Sequence, residues 1–151
     1  MKAETFEDLI KWNSGVHDML AERMEKAADN QGNDRTSALL TYVADHERQL
    51  AETVRKYATR ADSKALNTWL YEHVSEDLPP RDDRKLMFDD WDYERISEEI
   101  FDIHNQIIEL YRYLVERAAI PEATEIMQEL YDLHTHETRR LADQVNSGRS
   151  L

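Results

Sequence analysis

No cysteine occurs among the 151 residues. Disulfides, thiolate metal sites, iron–sulfur clusters and cysteine nucleophiles are therefore excluded. Glycine and proline are scarce, at three each. Strand-rich folds need turns, and turns draw on these two residues, so an all-β fold is not expected. Mean hydropathy is −0.79, and no apolar run approaches the roughly 18 residues of a membrane-spanning helix. Positive charge is also short: 19 Lys and Arg face 32 Asp and Glu, for a formal net charge of −13. Phosphate-rich partners need clustered positive charge, so neither nucleic acid nor an anionic membrane surface is an expected partner. The first twelve residues lack the basic start and apolar core of a secretory signal, which makes the cytoplasm the expected location.

What remains is apolar sequence with helical spacing. Residues 6–28 carry Phe6, Leu9, Ile10, Val16, Leu20 and Met24 at intervals of three and four. Thr5 and Asp8 have the spacing of a capping box at its start. Residues 35–61 repeat the pattern with Leu39, Leu40, Val43, Leu50 and Val54. A third stripe over 93–119 comprises Ile96, Ile100, Ile103, Ile107, Tyr111 and Leu114. Pro121 suits the first position of a fourth helix, which carries Ile126, Met127, Leu130, Leu133, Leu141 and Val145 and ends near Gly148. Between the second and third helices, residues 63–74 predict a short amphipathic helix with Leu66, Trp69, Leu70 and His73. An acidic, proline-broken loop follows over 76–83, and Phe88 and Trp91 are expected to dock back on the body.

The expected architecture is all-α: one domain over 1–151, in which two helical hairpins (5–61 and 93–146) are joined by a long crossover (62–92) containing a short helix. The hairpins themselves match. A shift of 87 residues lays Phe6 on Tyr93, Leu9 on Ile96, His17 on His104 and Leu20 on Ile107. A shift of 90 lays Leu40 on Leu130 and His46-Glu47 on His136-Glu137. Apolar matches would arise between any two amphipathic helices, whereas the His and His-Glu matches point to duplication.

These polar residues fall on the inner faces. His17 lies between Asn13 and Leu20, and His104 between Ile100 and Ile107. Glu47 lies four residues from Val43 and Ala51, and Glu137 four residues from Leu133 and Leu141, so both are expected to face inward. His134, one turn before Glu137, can reach the same centre. His46 and His136 belong on the flanks. At 1.5 Å per residue, His17 and Glu47 both stand about 17–20 Å from their hairpin tip, near mid-bundle. A buried ionised carboxylate costs several kcal/mol unless it is compensated. Two compensations are open: a metal cation bound by the imidazole and carboxylate groups, or hydrogen-bonded His–Glu pairs forming a structural polar layer.

This pattern resembles the ferritin-like superfamily, the bundles that include bacterioferritin and rubrerythrin. The resemblance spans about 6–61 and 93–146 and rests on the paired hairpins, the long crossover and ligand-type residues at mid-bundle. In that family each hairpin supplies a Glu from its first helix and a Glu-x-x-His from its second. By position, Glu47 and Glu137 resemble the second-helix glutamates, while His17 and His104 stand where the first-helix glutamates would be. The Glu-x-x-His partners are here Leu50 and Arg140, so the six-ligand dinuclear set is incomplete. The resemblance implies a metal-binding protein with a mononuclear or degenerate site drawn from His17, Glu47, His104, His134 and Glu137. Imidazole and carboxylate ligands suit Fe, Mn or Zn, and no haem, nucleotide or iron–sulfur cluster is indicated. A non-haem oxidoreductase or a metal-handling protein follows from this reading; a non-catalytic interaction or structural module follows from the polar layer. Trp12, Trp69 and Trp91 supply more aromatic surface than one small core needs, which suits a homodimer, and an unknown protein partner fits the second reading.

Overall fold

The computed structural model describes residues 4–69 and 88–149. Helix α1 spans Phe6–Asn30, α2 Asp34–Arg60, the single turn α3 Ser63–Leu66, α4 Tyr93–Arg117 and α5 Pro121–Arg149. A 3-10 turn, Phe88–Asp90, precedes α4. The described residues contain no strand, only an isolated bridge between Thr5 and Trp69. All-α architecture follows, as the apolar spacing requires, and among the described residues no helix is long and apolar enough to cross a membrane.

Each long helix starts where its sequence can satisfy the first free amides. Thr5 accepts from the Asp8 amide at 3.2 Å while the Asp8 carboxylate accepts from the Thr5 amide at 3.2 Å, closing the capping box. Asn33 caps α2 through the Thr36 amide at 3.0 Å, and Asp92 caps α4 through the Arg95 amide at 2.8 Å. Short connections after α1 and α4 make each hairpin antiparallel. The hairpins then pack on each other with α2 antiparallel to α5. Arg35 Nε donates to the Gly148 carbonyl at 3.0 Å near one end, and His46 meets Glu137 midway along. The long helices bury Leu9, Leu20, Leu40, Val54, Ile96, Leu114, Met127 and Leu141 in one continuous core. Burial of these stripes, rather than helix propensity, is what holds helices of this kind.

The crossover can be followed from both sides. After α2 the chain makes α3 and then runs extended beside the start of α1, where the Phe6 amide donates to the Thr68 carbonyl at 3.0 Å. It returns at the far end of α1, where the Gln31 side chain donates to the carbonyls of Phe88, Asp89 and Trp91 at 3.1–3.3 Å. Phe88 is buried and stacks edge-on with Trp91 at 5.3 Å. The short helix is briefer than the apolar pattern predicts. It stops at Leu66 because Asn67 turns and Trp69 pairs with Thr5, leaving the Trp69 ring about half exposed. Leu70, His73 and the acidic loop 76–83 lie outside the described residues. Of the other two tryptophans, Trp12 is buried and Trp91 is partly covered by the Arg95 guanidinium, 4.1 Å from its ring centroid.

Because the Thr5 cap closes the junction between α1 and the crossover, Thr5→Ala is expected to cost about 1 kcal/mol, measured as a shift in the urea midpoint at unchanged m-value.

Candidate metal centre

Half-way along the bundle the core turns polar. His17 from α1, Glu47 from α2, His104 from α4 and His134 from α5 are all fully buried at one level, together with Asn13 and Tyr111. Every long helix contributes at least one side chain to the layer. Glu47 lies at its middle: one carboxylate oxygen meets His17 Nδ1 at 2.5 Å, and the other meets His104 Nε2. The two imidazoles sit edge to face with centroids 5.5 Å apart. One ligand-type atom from each of His17, Glu47 and His104 lies within 4.8 Å of the other two. Among the described residues this is the group of three or more such side chains close enough to share a cation.

Around these three, a second ring of partners fixes the rings. The His134 Nδ1–H donates to the Leu130 carbonyl at 2.7 Å. A carbonyl only accepts, so the proton is committed to Nδ1 and Nε2 is left as a lone pair. Burial, with further unfavourable charge from His17, lowers the His134 pKa to about 3, which keeps the ring neutral. Its Nε2 lies 3.1 Å from His17 Nε2. The same His17 nitrogen lies 3.1 Å from Asn13 Nδ2, and Asn13 Oδ1 accepts from the Tyr111 hydroxyl at 2.7 Å. Burial pushes the Tyr111 phenol well above its ordinary value, so it remains a donor. His104 Nδ1 faces the Thr138 hydroxyl at 3.0 Å.

The nitrogen of each inner histidine that faces away from Glu47 meets both a hydrogen-bond donor and an acceptor: Asn13 Nδ2 and His134 Nε2 at His17, and the Thr138 hydroxyl at His104. With its proton on Nδ1, His17 donates to Glu47 and accepts at Nε2 from Asn13. With the proton on Nε2, it donates to His134 and presents the Nδ1 lone pair. His104 behaves alike: protonated on Nε2 it donates to Glu47 and accepts from Thr138; protonated on Nδ1 it donates to Thr138 and frees Nε2. The second tautomers point two lone pairs at a carboxylate, which is stable only with a cation between them. The donor set of two imidazole nitrogens and a carboxylate thus fits a first-row divalent metal.

Burial works against ionising Glu47, but its electrostatic interactions and hydrogen bonds with His104 and His17 outweigh it and hold the carboxyl well below its usual range. The layer is therefore built around an ionised glutamate with no solvent contact.

Of the five residues expected here, four meet: His17, Glu47, His104 and His134. Glu137 stands apart. It is on the flank of α5, only partly buried, where it accepts from His46 Nε2 at 3.1 Å and pairs with Arg140 at 3.2 Å. The reason is the course of the α5 seam, which runs through Leu130, His134 and Leu141 and puts Thr138, not Glu137, against His104. Leu133, taken as an inward neighbour of Glu137, is itself only partly buried. His136 is exposed, as its flank position predicts. His46 is less exposed than a surface residue: burial lowers its pKa despite the nearby Glu47 and Glu137 carboxylates, and its ring stacks on His104 at 6.3 Å. The Asn13–Tyr111 pair and Thr138 had no sequence signal beyond their seam positions, since Asn13 is four residues before His17 and Tyr111 reads as ordinary core.

With this geometry in hand, the fold has a solved counterpart. A ferritin-like diiron-carboxylate protein from Thermotoga maritima superposes with a TM-score of 0.60 over 97% of each chain at 15% sequence identity. At that identity the likeness shows the fold, which is the ferritin-like four-helix bundle. No protein-family model matches the sequence, and no curated protein matches it.

The His134 environment sets a pH dependence. Below its ordinary value of 6.5 the unfolded chain takes up a proton that the folded ring, at about 3, refuses. This contribution to stability is therefore lost as pH falls from 6.5 toward 3, at about 1.4 kcal/mol per unit. Glu47 adds to the loss only below the ordinary carboxyl value of 4.5. Metal-free protein should lose stability between pH 7 and 5 in urea titrations, and His134→Gln should lose about one proton's worth less. Parallel curves for the two proteins would contradict a neutral, proton-refusing His134.

Proposed function

We propose that this protein binds one divalent transition-metal ion at mid-bundle, held by His17 Nδ1, Glu47 and His104 Nε2. The observation that carries the reading is the convergence of these three ligand atoms, fully buried, with a separate partner behind each histidine. His134 and Thr138 act from behind: they hold the ring orientations and accept hydrogen bonds from the ring N–H groups that face away from the ligand nitrogens. Two histidines and one carboxylate leave coordination positions open, the composition typical of non-haem iron and also compatible with Mn or Zn. When bound, such an ion supplies a Lewis acid and, for iron or manganese, a one-electron redox centre. The structural neighbour is named for two irons and carboxylate ligands. Here a single carboxylate stands at the centre and Glu137 lies outside it, which favours one ion over two.

The chain's own residues would do the following. Glu47 brings the negative charge that draws a cation out of water. Asn13, itself held by the Tyr111 hydroxyl, fixes the His17 ring. Non-haem redox chemistry or metal storage and sensing are the roles this site supports. The competing reading is the polar layer without metal, and one observation favours it: every polar side-chain atom of His17, Glu47, His104 and His134 already has a hydrogen-bond partner.

Elemental analysis of untagged protein, before and after a chelator, separates the two. The expected result is about one equivalent of Fe, Mn or Zn. Chelation should lower Tm by roughly 5–10 °C, corresponding to a ligand near 100 times its Kd on a chain of this size. His17→Ala should lose both the metal and the chelator response. No metal and no response to added metal would establish the layer as architectural, and replacing Glu47, His17 and His104 together by Leu should then be neutral or stabilising. Two equivalents would establish a dinuclear site.

A further inference from the structure

The centre has no solvent contact, so an ion bound there has to be passed inward. A cleft of about 500 Å³ opens between α2 and α5, and its wall includes Asp45, His46, Leu50, Glu137 and Arg140. It reaches the centre through two of these residues. The His46 ring stacks on His104 with centroids 6.3 Å apart, 28° from parallel. Glu137 precedes Thr138, which bonds the far nitrogen of His104. Two other clefts, beside Tyr93 and beside Glu122, have no wall residue hydrogen-bonded to or stacked on His17, Glu47, His104 or His134.

The chemistry of the wall is that of a cation relay. Glu137 accepts a hydrogen bond from His46 Nε2–H at 3.1 Å, so the neutral ring carries its lone pair on Nδ1. That Nδ1 is buried and has no hydrogen-bond partner. A buried imidazole nitrogen without a protein partner has a lone pair available to a ligand that enters the cleft. Beside it stands a carboxylate whose other partner, Arg140, is mostly exposed and cheaply displaced. Asp45, exposed at the mouth, and the overall charge of −13 raise the local concentration of cations.

We propose that His46 and Glu137 form a transfer site at which a divalent cation entering from the α2–α5 cleft is held before it passes to His17, Glu47 and His104. This rests on the metal-binding reading above. His46 and Glu137 are outside the final coordination set, and a group met only on the way in lowers the barrier equally in both directions.

Co(II) is the probe, followed by its visible absorption in stopped flow, with dissociation measured into excess chelator and Kd from competition. His46→Phe keeps a ring against His104 but removes both nitrogens; Glu137→Gln removes the charge and keeps the shape. Each variant is expected to slow uptake and release alike by about tenfold, leaving Kd unchanged. A Co(II) complex that forms at wild-type rates in both variants would overturn the transfer site and leave the metal centre standing. A weakened Kd at unchanged uptake rate would also overturn it, by making these residues supports of the final site. No Co(II) binding to the wild-type protein would instead remove the metal reading itself.

Discussion

The structure depends on one buried carboxylate. Glu47 is fully enclosed and ionised, and its two oxygens are taken by His17 and His104 from two other helices. Withdrawing such a charge from water costs several kcal/mol, and breaking a buried pair by removing one partner costs about 3–5 kcal/mol. Any slip of α2 by one turn, about 5.4 Å, would bury the charge without partners. The layer thus selects one register of four helices that apolar stripes alone would specify weakly. With His134 bonded to the Leu130 carbonyl of its own helix, α5 enters the same arrangement.

The second consequence is chemical. Behind the histidines stand both donors and acceptors, Asn13 and His134 at His17 and the Thr138 hydroxyl at His104, so the layer can exist with two N–H groups facing the carboxylate or with two lone pairs and a cation. Hydrophobic packing above and below excludes water, which strengthens either state. The same burial that makes the site tight closes it, and the His46–Glu137 pair lies between the polar layer and the α2–α5 cleft.

The sequence carried the fold in its absences and its spacing. Few glycines and prolines, no strand pattern and four amphipathic stripes are enough for the bundle, because burial of those stripes is the dominant force. His17, Glu47 and His104 were legible for a related reason: a polar residue inside an apolar seam must be paired or ligated. Glu137 was misplaced because a residue three or four positions from apolar neighbours can belong to either edge of a stripe. The choice between Glu137 and Thr138 is a rotation of 100° that only packing decides. His46 as a cleft residue, and the Asn13–Tyr111 support, depend on which helices become neighbours. That information is tertiary and has no local signature.

Anomalous diffraction from crystals grown with Mn or Co tests most directly whether the space among His17 Nδ1, Glu47 and His104 Nε2 is a cation site. One strong peak is expected within about 2.0–2.2 Å of all three ligand atoms, with His134 and Thr138 still behind the rings. Full-occupancy peaks elsewhere, with Glu47 still hydrogen bonded directly to both imidazoles, would contradict a cation site there.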